Sequence, residues 1–212
     1  MKKINKINVV GLGVGNIDYL TGAGIKAIKS AEIIIGGERH LNDINSLLEN
    51  HQEKYILGKL ADMINFINEN KHKNISVVVS GDTGFYSLLN YLKKNLTDFE
   101  FNVIAGISSF QYLFAKIGES WENYHLYSVH GREIDIIDAL KNSTAGIILL
   151  TDNKNSPYII GSNLMKNNFS NIKLIVGERL SYSDEKITEF LARDVEAYKR
   201  DYEMNVLILK KS

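Results

Sequence analysis

The sequence predicts an α/β chain of two α/β domains, a Rossmann-like parallel sheet at the amino-terminal side and a mixed sheet at the carboxyl-terminal side. Three observations carry that expectation. Short Val- and Ile-rich runs recur along the chain, and the stretches between them change to a helical period. Glycine-bearing turns follow several of the apolar runs, the place where open parallel sheets put ligand sites.

Taken in order, INVV (7–10), EIII (32–35), EKYIL (53–57), ISVVV (75–79) and FNVIA (101–105) read as buried strands, each ended by glycine or polar residues. Between them Leu60, Met63, Ile64 and Ile67 follow an i, i+3, i+4, i+7 pattern, as do Phe85, Leu88, Leu89 and Leu92. Both read as one-sided helices packed on a sheet. Strand, helix and parallel strand in succession imply right-handed crossovers. Phe110, Leu113, Phe114 and Ile117 form one more helical stripe before GESWEN breaks the pattern, so the first domain is expected to span 1–117 and the second 118–212. In the second, strands are expected at 125–129, 146–150, 172–176, 186–191 and 204–211. No long helix separates the last two, which are expected to pair antiparallel and make the sheet mixed.

At 212 residues and 44% apolar content, the chain can bury an ordinary core. Twenty-five basic and 25 acidic side chains cancel, leaving none of the electrostatic footprint of a nucleic-acid partner. The absence of cysteine excludes disulfides, thiolate metal sites and cysteine nucleophiles. The start, MKKINKINVVGLGVG, lacks the sustained apolar stretch of a secretory signal, and no run is long enough to span a membrane. A cytoplasmic protein without membrane contact is expected, and no metal-ligand spacing joins the histidines.

The candidate chemistry sits in six short motifs: VGLGVGN (10–16), SGDTGFY (80–86), AGISSFQ (105–111), HGR (130–132), LTD (150–152) and GERLSYSDEKI (177–187). Gly11, Gly13 and Gly15 follow the first strand, but their spacing is G-x-G-x-G-N rather than the dinucleotide G-x-G-x-x-G. The second run ends at Gly36 and Gly37, where a ribose-binding acid would stand, which argues against NAD. A tight turn explains one or two of the three glycines; close approach of a bulky ligand explains all three. Gly81, Asp82 and Thr83 follow the most apolar strand, and Ser108 and Ser109 precede the stripe at Phe110; each polar residue suits a helix N-cap, a ligand contact, or both. His130 and Arg132 flank Gly131 in a corner suited to an anion, or to a solvated loop. No Ser/His/Asp order or other nucleophile stands out.

Together these motifs resemble the tetrapyrrole methylase family, nearly end to end. AGISSFQ, SVHGR, LTD and ERLSYSDEKI are more narrowly similar to its branch acting on C5 of a cobalt-precorrin (precorrin-7) in cobalamin biosynthesis. HGR and ERLSYSDE are the more specific of these. The resemblance implies an S-adenosylmethionine-dependent C-methyltransferase that releases S-adenosylhomocysteine, with its active site in the cleft between two α/β domains. It places Val14, Gly81, Asp82, Phe85, Ser108, Ser109, Thr151 and Glu178 at the cofactor, with Asp82 as the leading candidate for a catalytic role. It places the tetrapyrrole along Gly11, Gly13 and Gly15, with His130 and Arg132 as carboxylate partners. It further implies a homodimer, and any C15-methyltransferase would be a separate chain. Family members typically carry proline and aspartate where this chain has Val14 and Asn16, proline in place of Thr83, and often proline in place of Ala105. A uroporphyrinogen, diphthine or ribosomal RNA methyltransferase of the same family, or a non-catalytic nucleotide-sensing module on the same fold, are the alternative readings.

Overall fold

The computed structural model describes residues 5–129, 131 and 134–211. They fall into two compact units that divide between Ser108 and Ser109. No helix among them is long and apolar enough to cross a membrane.

The first unit runs β1 (Asn5–Gly11), α1 (Gly22–Ser30), β2 (Ile33–Gly36), α2 (Glu38–Asp43), β3 (Glu53–Ile56), α3 (Leu60–Glu69), β4 (Ile75–Val79), α4 (Leu89–Asn95) and β5 (Phe99–Ile104). Its five strands order as β3-β2-β4-β1-β5 and are all parallel. Both faces of a parallel sheet must be covered, so the central strands are continuous apolar runs whose side chains alternate between two cores. Ile7, Val9, Ile33, Ile35, Ile75 and Val77 pack with Met63 and Ile67 of α3 and with Leu92 of α4. Val10, Ile34 and Val78 face the other way, onto Ala27 and Ile28 of α1 and Leu41 of α2.

One polar row crosses this sheet. Asn102 on β5 donates to Asn8 Oδ1 at 2.8 Å, Asn8 donates to Ser76 Oγ at 3.1 Å, and Ser76 donates to the Ala27 carbonyl at 3.0 Å. Buried polar groups in this setting are costly once a partner is removed. Asn8→Ala is therefore expected to destabilise the chain by about 1–3 kcal/mol, read as a lower urea midpoint at unchanged slope.

The second unit runs α5 (Ser109–Ile117), β6 (Tyr124–Ser128), α6 (Ile136–Lys141), β7 (Gly146–Leu150), α7 (Pro157–Lys166), β8 (Lys173–Glu178), β9 (Lys186–Leu191), a 3-10 helix at Ala192–Tyr198, and β10 (Asn205–Lys210). The sheet order is β6-β7-β10-β8-β9, with only β6 and β7 parallel among these pairs. Ile147, Leu149, Leu174, Val176, Leu207 and Leu209 share one core with α6, α7 and the 3-10 helix. On the opposite face α5 packs against β10, and Phe114 meets Tyr124 edge-to-face at 5.0 Å.

Three expectations change. The sheet is mixed, but β9 and β10 do not pair with each other: β9 forms a hairpin with β8, and β10 inserts between β7 and β8. Burying β10 on both sides uses its unbroken apolar run, which an edge position would leave half exposed. The stripe at 109–117, expected to close the first domain, belongs to the second unit because its apolar face packs there. The helix read from Phe85 begins only at Leu89.

Candidate functional site

In the first unit the carboxyl ends of β1, β4 and β5 meet in a corner built from glycine backbone. A Cβ placed on Gly11 would lie 2.6 Å from both Gly106 N and Gly81 O, so no side chain fits there. Gly13 (φ +69°), Gly15 (φ +103°) and Gly81 (φ +64°) occupy left-handed backbone that glycine alone adopts without strain. Gly13 and Gly81 exchange two backbone hydrogen bonds, at 3.1 and 2.9 Å, locking the first glycine turn to the Gly-Asp turn. The three alternating glycines, read from sequence as room for a ligand, are thus each required by the chain itself. Asn16 caps the following 3-10 turn, its Oδ1 accepting from Asp18 N at 3.0 Å, a task an aspartate performs equally.

Asp82 is not a helix cap. Its Oδ1 accepts from Gly84 N at 2.7 Å and its Oδ2 from Gly106 N at 3.2 Å, so the carboxylate ties the loop after β4 to the loop after β5. Val14 and Ser108 are buried, and Phe85 is partly exposed. Ser108 stands just before α5 and lies beside Gly81, while Ser109 is the first residue of that helix, in the second unit. Loops 11–16, 80–86 and 105–109 contain no lysine, arginine or histidine. They offer backbone N–H and C=O groups, apolar side chains, the hydroxyls of Ser80, Thr83, Tyr86, Ser108 and Ser109, the Asn16 amide and one carboxylate.

In the second unit Thr151 follows β7 and Glu178 ends β8, and Asn205, opening β10 between them, touches both surroundings. The Thr151 hydroxyl lies 2.6 Å from Asn205 Oδ1, and Asn205 is the cross-strand partner of Glu178. Glu178 is buried and its carboxylate is engaged on both oxygens by Arg200, Nη1 at 2.8 Å and Nη2 closer still. The Arg200 guanidinium also lies over the Tyr202 ring at 4.0 Å. That bidentate pairing compensates a buried charge, so Glu178 serves first to hold Arg200 and the segment after the 3-10 helix.

The HGR corner lies partly outside the described residues: His130 and Arg132 are not among them. Gly131 is, in left-handed conformation at φ +66°, and its N–H donates to Asp152 Oδ2 at 3.0 Å. Asp152 Oδ1 also accepts from Asn155 N at 2.8 Å, and Asn155 donates to the Val129 carbonyl. The Gly131 N–H, followed by Asn155, holds the Asp152 carboxyl below the usual carboxylate range. Because the folded value is depressed, this tie is present above the ordinary carboxylate pKa and is lost as pH falls through the folded one. The Gly131 amide resonance is expected to move on acidification below about pH 4 and to stay flat in Asp152→Asn.

The ERLSYSDEKI stretch is the β8–β9 connection, wound tightly through left-handed Arg179 (φ +45°) and Ser181 (φ +72°). Arg179 pairs with Asp184 at 2.5 Å. Glu185 receives Ser181 N at 2.6 Å, the Tyr112 hydroxyl at 2.7 Å and Lys116 at 3.1 Å, which fastens the loop to α5. Partial burial opposes ionisation of Glu185, and these donors outweigh it, so its pKa is lowered. Sequence reasoning assigned nothing to Gly106, Asn155, Arg200 or Asn205. Gly106 stands inside the AGISSFQ motif, after a strand, and Asn205 near the start of the strand expected at 204–211; Arg200 lies in a stretch without a periodic signal.

A family model described as tetrapyrrole (corrin/porphyrin) methylases matches residues 6–196. A probable cobalt-precorrin-7 C(5)-methyltransferase from Methanocaldococcus jannaschii is 32% identical over 189 residues, 86% of this chain and 87% of the relative. The cobalt-precorrin-7 C(5)-methyltransferase of Salmonella typhimurium is 29% identical, covering 96% of this chain and 98% of its own. A decarboxylating precorrin-6Y C(5,15)-methyltransferase from Sinorhizobium is 25% identical over 88% of this chain, which spans 45% of that longer protein. Among solved structures, a precorrin-6Y methylase of cobalamin biosynthesis from Archaeoglobus fulgidus shares the fold, with TM-score 0.75 at 18% identity over 98% of this chain and 99% of its own. So does a uroporphyrin-III C-methyl transferase from Thermus thermophilus complexed with S-adenosyl homocysteine, with TM-score 0.78 at 16% identity over 97% and 92%. On the span of the family match and the identity of these relatives, the chain belongs to the tetrapyrrole (corrin/porphyrin) methylases.

Proposed function

We propose that the chain transfers the methyl group of S-adenosylmethionine to C5 of cobalt-precorrin-7 in cobalamin biosynthesis. The observation that carries the choice of cofactor is the set of groups after β1, β4 and β5: backbone N–H and C=O groups, serine and threonine hydroxyls, buried Val14, partly exposed Phe85 and the Asp82 carboxylate, with no cation in the three loops. The G-x-G-x-G-N spacing does not match the turn that seats a dinucleotide pyrophosphate on a helix N-terminus, and one carboxylate there would repel it, whereas a sulfonium with adenine and an amino-acid tail suits carbonyls, a carboxylate and apolar walls. The choice of substrate rests on the named relatives.

The cofactor brings an already activated methyl group. As the carbon–methyl bond forms and the sulfur–methyl bond breaks, S-adenosylhomocysteine leaves and the substrate loses a proton to a base; for the chain the chief task is to fix the nucleophilic carbon in line with the methyl and to keep water away, positioning worth several orders of magnitude in rate. Val14, Gly81, Asp82, Phe85, Ser108, Ser109 and Thr151 are the proposed cofactor contacts. Glu178, already engaged by Arg200, acts with them as a support. Gly11, Gly13 and Gly15 border the tetrapyrrole, with His130 and Arg132 toward its carboxylates. A homodimer working in the cytoplasm belongs to the same reading, and methylation at C15 is left to a separate chain.

Mass spectrometry of the product after incubation with cobalt-precorrin-7 and methyl-labelled S-adenosylmethionine tests the proposal. One labelled methyl at C5 supports it, and an unlabelled macrocycle sinks it. Calorimetry with S-adenosylhomocysteine, NAD and ATP checks the cofactor independently: micromolar binding of the first alone is expected, and preference for NAD would return the glycine turn to dehydrogenase chemistry.

A further inference from the structure

We infer that the ring of Tyr86 is a stacking platform for the macrocyclic substrate, presented by the stitched loop between β4 and α4. The inference rests on the functional reading above and deepens it by naming a substrate contact. Tyr86 is 50% exposed and sits in left-handed backbone at φ +49°, a conformation a bulky side chain adopts only under strain. The local sequence offers an easier path. Phe85, Leu88, Leu89 and Leu92 have helical spacing, and a helix beginning at Phe85 would remove the strain, yet α4 starts at Leu89.

The detour is held by its own hydrogen bonds. Asp82 Oδ1 takes Gly84 N at 2.7 Å, the Ser87 hydroxyl donates to the Thr83 carbonyl, and Ser87 Oγ accepts from Leu89 N at 3.2 Å. Thr83, in the middle, is buried. Phe85 braces the ring edge-on, with centroids 4.5 Å apart and planes at 73°. Strained backbone persists where its surroundings over-determine it, and it clusters at ligand clamps. An aromatic face fixed in this way loses little conformational freedom when a ligand covers it. It stands at the carboxyl end of β4, the same end of the parallel sheet as the Gly11, Gly81 and Gly106 corner. A small cofactor ring is normally enclosed on most of its surface, so a half-open platform suits the face of a large macrocycle better than adenine.

The test compares Tyr86→Phe, Tyr86→Leu and Tyr86→Gly in the full chain, measuring KM for cobalt-precorrin-7, the S-adenosylhomocysteine Kd and the melting temperature. Phe is expected to keep KM within about twofold, and Leu and Gly to raise it about tenfold, at unchanged Kd. Gly, which accepts positive φ, is expected to leave the melting temperature unchanged or higher while binding substrate worse, a split that a purely structural tyrosine would not produce. Wild-type turnover with unchanged KM in Leu and Gly overturns the platform alone. A shift in the cofactor Kd instead assigns the ring to adenine and also overturns it. A wild-type chain that binds S-adenosylhomocysteine but leaves cobalt-precorrin-7 unmethylated overturns the functional reading together with the platform.

Discussion

Asp82→Asn is expected to lower kcat about 10²-fold while the chain stays folded. Both carboxylate oxygens of Asp82 accept backbone N–H groups, one from Gly84 and one from Gly106. Asparagine keeps a single acceptor oxygen, so one of those N–H groups must face an amide donor. The loops after β4 and β5 then lose the side-chain tie between them, at a cost of about 1–3 kcal/mol for the orphaned donor. A displacement near 1 Å at a reacting pair is enough for a loss of about 10²-fold. Steady-state kinetics read the effect, and the Gly84 and Gly106 amide resonances say how it arises. If both amides keep their wild-type shifts while kcat collapses, the carboxylate acts on the reacting groups directly. If they move together with kcat, Asp82 is a positioning residue. A wild-type kcat removes it from the site altogether.

How much of this was legible in the sequence differs by scale. ISVVV at 75–79 is β4 residue for residue, because a strand buried on both faces leaves an uninterrupted β-branched run. The strands expected at 146–150 and 186–191 are likewise β7 and β9 residue for residue, and the remaining strands among the described residues were foreseen with ends shifted by one or two residues. Strand order was not legible. MNVLILKK announced a buried strand, yet nothing local tells that it enters between β7 and β8, since pairing partners are chosen by the packing of the whole sheet. The late start of α4 escaped too. Periodicity favoured a helix from Phe85, and what overrides it is a side-chain stitch by Asp82 and Ser87 that competes for the same backbone groups.

The candidate site shows the same division. Its motifs could be found because ligand turns follow strand ends, but the partners within them could not. Glu178 read as a ligand residue, and its carboxylate is taken by Arg200, which stands in a segment with no pattern to flag it. Asp152 was quoted within LTD without a role; its tie to Gly131 depends on two loops meeting in space.

The glycine corner makes the sharpest forecast about stability. Gly106→Ala is expected to cost about 3 kcal/mol or more and to abolish S-adenosylhomocysteine binding. An added Cβ would collide with the Gly81 carbonyl oxygen and would come 2.7 Å from the Gly11 carbonyl carbon. Both obstacles are backbone. Neither can swing aside as a side chain would, because Gly11 is paired with Val79 in the sheet and Gly81 is bonded twice to Gly13. Relief therefore has to break the Gly13–Gly81 bridge or push β5 away from β1, and either movement disperses the loops of the proposed cofactor site. Gly58→Ala supplies the control: nothing lies within 4 Å of its added Cβ, so it should be neutral or stabilise by up to about 1 kcal/mol through the unfolded chain. Urea unfolding of the two variants beside calorimetry separates the cases. If Gly106→Ala unfolds at the wild-type midpoint and still binds S-adenosylhomocysteine, the close meeting of β1, β4 and β5 is not what shapes the pocket.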